Sequence, residues 1–334
     1  MSRIAILGGG SWGTGLSVVL GHGRRKHEIR IWAREPSIVE AIQESRENPT
    51  YLPGIPIPPC VQASSDLGEV LHGAQIVVGV VPSAHARSVY LQAVPHISAE
   101  MAIVSATKGL ELATHLRMSE VIEQVFALKF IPQIAVLSGP SFALEAARGE
   151  PTAVVLASKD RALAMYLQEE FAGSNFRLYT NEDVLGVELA GAMKNVVAIA
   201  AGACQGLGLG ANSLAALITR GLAEMARLTV ALGGKPETLS GLAGLGDLVL
   251  TCNGVLSRNR HVGFELGRGR PLQEILNEMR MVAEGVGTTE ELLALAREHH
   301  IELPITEQVH SILYLGNSPR DAIRAIMERP LKPE

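Results

Sequence analysis

Short apolar runs rich in β-branched residues recur through the first half of the chain. They occupy residues 4–7, 29–32, 76–81, 101–105, 134–137 and 153–157. The runs are continuously apolar rather than alternating, which is typical of strands covered on both faces of a sheet. Helical patterns separate them along the chain. This alternation predicts an α/β fold built on a doubly wound, mainly parallel sheet.

The pattern changes near residue 183, where the β-type runs stop. Helical periodicities follow over residues 187–204, 213–232, 272–281, 288–299 and 319–327. We therefore predict a nucleotide-type α/β domain over residues 1–185 and an all-α C-terminal domain over residues 186–334. The proline-rich stretch 49–59 is predicted to be an irregular loop inside the first domain, because strand-type sequence resumes after it.

Composition narrows the functional classes. The 334 residues are 47% hydrophobic and 19% charged, and 34 acidic against 29 basic residues give a net charge of −5. No global positive field is therefore expected to attract nucleic acid or an anionic membrane. The uncharged stretch 195–219 is interrupted by glycines at 206–210, so we expect no membrane insertion. Cys60, Cys204 and Cys252 lie far apart without metal-ligand spacing, which predicts a reduced, cytoplasmic protein with no metal site.

A glycine-rich turn follows the first predicted strand directly. Gly8, Gly10 and Gly13 match the pattern GxGxxG, with a helix predicted after them. In this setting the first glycine permits a tight turn, the second lets a pyrophosphate approach, and the third lets helix and strand pack closely. The free N–H groups of the following helix would point at the phosphates. The sequence therefore predicts a dinucleotide site.

The end of the second predicted strand bears on the choice of coenzyme. An NAD-specific site commonly has an acidic residue at this place, whereas Arg34 and Glu35 stand here. Arg34 could pair with the 2′-phosphate of NADP, or it could be an ordinary solvated surface arginine. We favour NADPH slightly and leave NAD open.

Two lysines are candidates for chemistry. Lys194 lies within residues 187–199, a helical segment that is apolar around nearly its whole circumference. Burial favours the neutral amine, which suits proton transfer, although a lysine can also reach the surface along its aliphatic stem. Lys108 follows a predicted strand, at the sheet edge where ligands of such folds bind.

Three further segments have polar groups that could bind a ligand or could have only a structural role. The turn 138–141 could present donors to an anion or could be an ordinary proline turn. Asp247 lies in a glycine-rich, otherwise uncharged segment and could pair with a lysine or cap a helix. The cluster 257–260 suits a phosphate, particularly at a helix start, but could equally be a solvated basic turn.

An ordered set of motifs runs through the chain. They are GGGSWG at 8–13, VVPS at 80–83, TKG at 107–109, LSGPSFA at 137–143, ELAGAMKN at 188–195, GLAGLGDL at 241–248 and SRN at 257–259. With these motifs the chain resembles the bacterial-type NAD(P)-dependent glycerol-3-phosphate dehydrogenases essentially from end to end. One departure is Gly9, where many members have alanine, and it removes none of the three motif glycines.

The resemblance implies a cytoplasmic enzyme that reduces dihydroxyacetone phosphate to sn-glycerol 3-phosphate, a precursor of glycerophospholipids. It also implies that residues 1–185 form a dinucleotide-binding, Rossmann-type domain and residues 186–334 a helical substrate and catalytic domain. Lys194 is then the proton donor and acceptor. The implied substrate contacts are Lys108, Gly139, Ser141, Lys194, Asp247, Ser257, Arg258 and Asn259. The implied cofactor contacts are Gly8, Gly10, Ser11, Trp12, Gly13, Arg34, Lys108, Ala143, Arg258, Val282 and Glu284.

Two other functions compete with this one. Another two-domain dehydrogenase, acting on hydroxy acids or nucleotide sugars, would share the architecture. A redox-sensing protein could hold a dinucleotide without turning it over, although it would not need a lysine inside an apolar helix. The apolar helical domain favours a homodimer, since apolar helix faces are often buried between subunits. The sequence leaves the number of subunits and feedback inhibition open.

Overall fold

A single eight-stranded sheet forms the centre of the N-terminal half of the computed structural model, which describes residues 1–331. The strands are β1 Ser2–Leu7, β2 His27–Trp32, β3 Val61–Ser64, β4 Ile76–Gly79, β5 Ala102–Ser105, β6 Gln133–Ser138, β7 Thr152–Ala157 and β8 Phe176–Asn181. Their order is β3-β2-β1-β4-β5-β6-β7-β8, and β3 to β6 form one parallel set. Only the β6–β7 pair is antiparallel. The predicted doubly wound, mainly parallel sheet is confirmed.

Helices cover both faces of this sheet. They are α1 Ser11–Gly21, α2 Pro36–Glu44, α3 Leu67–Leu71, α4 Ser83–Ala93, α5 Met118–Phe126, α6 Ala143–Ala147 and α7 Arg161–Phe171. Alternate residues of β1 face opposite sides: Ile4 and Ile6 join a core with α1, α2 and α7, whereas Ala5 and Leu7 join a core with α3, α4 and α5. Burial on both faces explains why the central strands are continuously apolar.

Two strands, β3 and β8, were not predicted from the sequence pattern, and both lie at an edge of the sheet. In β8 the even-numbered Phe176 and Leu178 are buried, whereas Arg177 and Tyr179 are exposed. The other, β3, is short and includes the exposed Gln62. An edge strand covered on one face alternates in polarity and has no continuous apolar run.

The remainder of the described chain is helical. Its helices are α8 Val184–Gly206, α9 Ala211–Ala231, α10 Pro236–Ser240, α11 Asp247–Asn253, α12 Arg258–Gly267, α13 Leu272–Glu278, α14 Gly285–Glu298, α15 Pro304–Tyr314 and α16 Pro319–Met327. All five predicted helices are present. The pattern missed α10, α11, α12 and α15, most of which are short or contain many polar residues. The predicted all-α C-terminal part is confirmed.

Two compact units divide the chain, and the division falls within α8. The first contains Met1–Glu111 and Leu116–Glu188, and the second contains Leu112–His115 with the described residues from Leu189 onward. Sequence reasoning put the boundary after residue 185 and gave no indication that Leu112–His115 belongs to the second unit.

Helix α8 is long and apolar enough, by length and composition, to cross a membrane, but most of its apolar stretch is buried inside the protein. Such burial is typical of a core helix. The helix ends at Gly206, and α9 begins only at Ala211. The glycines at 206–210 thus interrupt the uncharged stretch, as predicted.

A buried glutamate of α9 makes the stability of the second unit pH-dependent. Glu224 is almost fully buried, and its carboxyl group accepts hydrogen bonds from the N–H groups of Ile305 and Thr306 at the start of α15. Burial raises its pKa to about 7, although these two donors act in the opposite direction. The folded protein therefore keeps a proton on Glu224 at pH values where the unfolded chain has lost it.

We expect this glutamate to lower the free energy of unfolding as the pH rises from about 4.5 to about 7. Below that window both states are protonated, and above it the loss is complete, at about 3 kcal/mol. In urea unfolding, the free energy of unfolding of Glu224→Gln should therefore increase relative to that of the wild type across this window. Glu237→Gln, at an exposed site, serves as the control and should show no such gain. A constant difference between Glu224→Gln and the wild type would contradict the assignment.

Candidate functional site

The glycine-rich turn lies at the carboxyl end of β1, next to the end of β4. Gly8 has a φ of +134°, and a Cβ there would lie 3.0 Å from the carbonyl carbon of Val80. A Cβ on Gly13 would lie 1.9 Å from the carbonyl oxygen of Gly8. Only glycine satisfies both positions, so the turn and the close packing that the motif requires are present.

The start of α1 fits a dinucleotide. Gly10 is the N-cap, in extended conformation, and a Cβ there would meet no protein atom within 4 Å. The first turn begins with Ser11 and Trp12 and contains no acidic residue. Gly15 brings the helix against Ala143, whose carbonyl oxygen would be 3.0 Å from a Cβ at that glycine. The positive end of the helix dipole and an open approach at Gly10 suit a pyrophosphate.

Arg34 follows β2 and points into solvent. Its side chain is 75% exposed, and its nearest carboxylate oxygen, from Glu35, is 4.0 Å away. Glu35 also accepts a hydrogen bond of 3.1 Å from the hydroxyl of Tyr51. Burial, and then the Glu35 charge, raise the pKa of Tyr51. The guanidinium of Arg34 is thus exposed at the end of the second strand, where the sequence predicted that coenzyme choice is made.

A second group of predicted residues lies at the ends of β5 and β6. The Lys108 ammonium donates a hydrogen bond of 2.9 Å to the carbonyl oxygen of Gly139, and the Ser141 hydroxyl donates one of 3.0 Å to the same oxygen. Gly139 has a φ of +121°, which favours glycine. Thr107 anchors the lysine segment by donating to the carbonyl oxygen of Val81 at 2.7 Å. Three of the predicted substrate residues are therefore brought together.

Lys194 is buried in the middle of α8. Its side chain is 8% exposed, and its ammonium donates 2.7 Å hydrogen bonds to a carboxylate oxygen of Asp247 and to the hydroxyl of Thr251. Asp247, 1% exposed, is the first residue of α11, and Thr251 lies one turn later. The structure thus selects the lysine partner, not the helix cap, as the role of Asp247. It also rules out a Lys194 side chain that reaches the surface.

A chain of amide hydrogen bonds runs beside this pair in the second unit. Asn259 donates to the side-chain oxygen of Asn195 at 2.9 Å, and its own side-chain oxygen accepts from the N–H of Gly285 at 2.9 Å. Both asparagines are buried. The orientation of the Asn259 amide is therefore fixed by a donor on one side and an acceptor on the other.

The SRN motif opens α12, which is the setting that particularly suits a phosphate. Ser257 caps the helix by accepting a hydrogen bond of 3.2 Å from the N–H of Arg260. Arg258 is exposed and donates to the carbonyl oxygen of Val282 at 2.8 Å. Val282 is exposed, and Glu284 is the N-cap of α14. Arg258, Asn259 and the start of α14 are thus linked within the second unit.

Sequence reasoning missed two residues of these groups. Thr251 carries no motif, but it stands four positions after Asp247 on a helix, so both side chains face the same side. Asn195 belongs to the motif at 188–195, but the sequence indicated no role for it. Cys252, next to Thr251, is buried, and burial raises its pKa to about 12, so it is a neutral thiol and not a nucleophilic thiolate.

The comparisons with known proteins cover both halves of the chain. The family model described as NAD-dependent glycerol-3-phosphate dehydrogenase N-terminus matches residues 3–164, and the model for the C-terminus matches residues 183–324. A glycerol-3-phosphate dehydrogenase [NAD(P)+] from Koribacter versatilis is 56% identical over 99% of this chain and 98% of its own length. One from Acidobacterium capsulatum is 51% identical over the full length of both chains.

A solved structure agrees with the sequence relatives. The glycerol-3-phosphate dehydrogenase of Coxiella burnetii superposes with a TM-score of 0.93 and 44% identity, over 98% of this chain and 99% of that one. These matches favour the resemblance found in the motifs over a hydroxy-acid or nucleotide-sugar dehydrogenase. The chain belongs to the NAD-dependent glycerol-3-phosphate dehydrogenase family.

Proposed function

We propose that this protein reduces dihydroxyacetone phosphate to sn-glycerol 3-phosphate with NADPH or NADH, in a reversible reaction. The observation that carries the proposal is the buried ammonium of Lys194, held by Asp247 and Thr251 at 2.7 Å each. Burying a charge costs free energy, and buried charges with a specific partner are frequent among catalytic groups. The names of the relatives supply the substrate.

Lys194 handles the proton of this reaction. A reduced nicotinamide, when bound, supplies a hydride to the ketone carbon. The carbonyl oxygen then takes a proton from the Lys194 ammonium, which acts as general acid and, in the oxidative direction, as general base. Asp247 and Thr251 hold the ammonium in one orientation, so its donated proton has a fixed direction.

Different protein groups contact the phosphate and the ketone oxygen of the substrate. Lys108 adds positive charge that stabilises the developing alkoxide, with Gly139 and Ser141 beside it. Arg258, Asn259 and the capped start of α12 at Ser257 bind the phosphate, since a helix N-terminus and a guanidinium both favour a dianion.

The cofactor contacts follow the glycine turn. Gly8, Gly10 and Gly13 let the pyrophosphate approach the N–H groups of α1, and Ser11 and Trp12 form its first turn. Ala143 packs beside α1, and Arg34 is exposed where a 2′-phosphate would be read. Arg258, Lys108, Val282 and Glu284 complete the proposed cofactor contacts. Residues 1–185 are the cofactor-binding domain in this proposal, and residues 186–334 are the catalytic one.

A cytoplasmic location, a role in glycerophospholipid synthesis and a homodimer belong to the same proposal. Several apolar side chains of the second unit are exposed, among them Val249, Val255, Leu256 and Leu315. Exposed apolar groups of this kind are often buried between subunits. Light scattering on the purified protein gives the number of subunits.

Turnover with the two coenzymes tests the function and the role of Arg34 together. We expect the purified protein to oxidise reduced coenzyme when dihydroxyacetone phosphate is added. The oxidation is measured as the loss of nicotinamide absorbance. We expect a preference for NADPH over NADH that falls about tenfold in Arg34→Ala, because a charge-assisted contact to the 2′-phosphate contributes roughly 1.5 kcal/mol or more.

Arg24→Ala, also on the surface of the first unit, is the matched control and should leave the preference unchanged. An unchanged ratio in Arg34→Ala would place the recognition of the 2′-phosphate elsewhere. No turnover with either coenzyme, while both still bind, would overturn the substrate and favour a protein that only senses the dinucleotide. Turnover of a 3-hydroxy acid in place of the phosphorylated ketone would select the other dehydrogenase class.

A further inference from the structure

The loop after β5 contains a short segment that folds as part of the second unit. Leu110 and Arg117 form an antiparallel bridge, and the N–H of Glu111 donates to the carbonyl oxygen of Leu116 at 2.9 Å. The residues enclosed by this hairpin, Leu112–His115, cluster with the second unit. We call Leu112–His115 the tip.

One carboxylate of α14 holds the tip. Glu291 accepts a hydrogen bond of 3.1 Å from the N–H of Ala113 with one oxygen, and its other oxygen lies within hydrogen-bond distance of Nδ1 of His115. The Glu291 side chain is only 9% exposed. A nearly buried carboxylate that uses both oxygens on one short segment makes a directional and persistent contact.

The backbone of the tip needs such a contact. Ala113 has a φ of +69° and His115 a φ of +60°, in the left-handed region that residues with a Cβ avoid. Among residues 1–331, Arg46 and His300 are the other non-glycine residues with positive φ. Strained conformations persist where surrounding contacts fix them, and they concentrate at functional segments. Here the fixing contacts come from Glu291.

The tip and Glu291 are each connected to a proposed active-site residue. Only Gly109, Leu110 and Glu111 separate the tip from Lys108 in the sequence. Glu291 lies on α14, and the first residue of that helix, Gly285, donates its N–H to Asn259. The carboxylate of Glu291 therefore lies on a helix that also orients a proposed phosphate ligand.

We infer that Glu291 is a positioning residue for Lys108, acting through the tip; this rests on the role of Lys108 in the proposed function. Holding Ala113 and His115 fixes the course of the segment that carries Lys108. The Lys108 ammonium is then kept where it stabilises the developing alkoxide. A displacement of about 1 Å in a catalytic group can cost on the order of a hundredfold in rate, so a distant anchor has a measurable effect.

A double-mutant cycle tests this inference. We expect Glu291→Ala to lower kcat/KM for dihydroxyacetone phosphate about tenfold, because a misplaced charge stabilises the transition state less. Glu290→Ala, at the exposed neighbouring position of the same helix, should stay within about twofold. In a Lys108→Ala background, Glu291→Ala should change kcat/KM by less than about twofold, because residues that act as a unit are not additive. An equal loss in both backgrounds would overturn the inference.

Hydrogen exchange of the peptide that covers residues 106–118 gives a readout that does not need turnover. We expect faster exchange in Glu291→Ala and wild-type exchange in Glu290→Ala. Glu291→Gln keeps one acceptor oxygen, so its exchange should be intermediate, and it replaces the alanine variant if that one does not fold. Unchanged exchange in the variants would overturn the inference even if the enzyme is active. Absence of turnover in the wild type would instead count against the proposed function.

Discussion

Lys194→Ala is expected to lower kcat for dihydroxyacetone phosphate by about 10³-fold and to leave the affinity for NADPH within about twofold. The variant removes the proton donor and also leaves Asp247 buried without its cation, which favours its neutral form. The cofactor contacts proposed for the glycine turn lie in another unit and are untouched. Steady-state kinetics and a direct titration with NADPH measure the two quantities separately.

Lys194→Arg separates the two roles of the ammonium. Arginine keeps the positive charge beside Asp247 but does not give up its proton under physiological conditions. If Lys194 donates the proton, the arginine variant should lose nearly as much kcat as the alanine variant. If it only stabilises charge, the arginine variant should recover most of the rate. Lys159→Ala, at an exposed lysine, is the control for the purified preparation. Near-normal turnover in Lys194→Ala would refute the catalytic role.

The sequence predicted the elements that are buried on all sides better than the others. The central strands are continuously apolar because helices cover both faces, and that property is local and visible in the sequence. The edge strands β3 and β8 alternate in polarity and resemble exposed segments when read alone. Their assignment depends on neighbours that are distant in the sequence.

The same distinction applies to the candidate site. Gly8 and Gly13 were predicted because a motif states their local geometry, and Lys194 because a charge inside an apolar helix is unusual. Thr251 was missed because its role is to accept a hydrogen bond from Lys194, which lies on a different helix, α8. The tip was also missed, since positive φ at Ala113 and His115 is supported by a carboxylate far along the chain.

Two helices that carry proposed active-site residues meet through their backbones. A Cβ on Gly202 of α8 would lie 1.9 Å from the carbonyl oxygen of Arg260. A Cβ on Gly263 of α12 would lie 1.8 Å from the carbonyl oxygen of Ile199 and 2.9 Å from the nitrogen of Ala203. Neither contact leaves room for a side chain. This close approach sets the distance between the helix of Lys194 and the helix of Arg258 and Asn259.

Gly263→Ala should therefore lower the free energy of unfolding by about 3 kcal/mol or more, since the added methyl group meets backbone atoms that cannot turn aside. Activity should also fall where the variant is still folded, because α12 must move away from α8 and carries Asn259 with it. Gly210→Ala is the matched control: a Cβ there meets no atom within 4 Å, and the change should cost less than about 1 kcal/mol. Urea unfolding measures both variants. A Gly263→Ala protein as stable as the wild type would show that the spacing of the two helices is not fixed by their glycines.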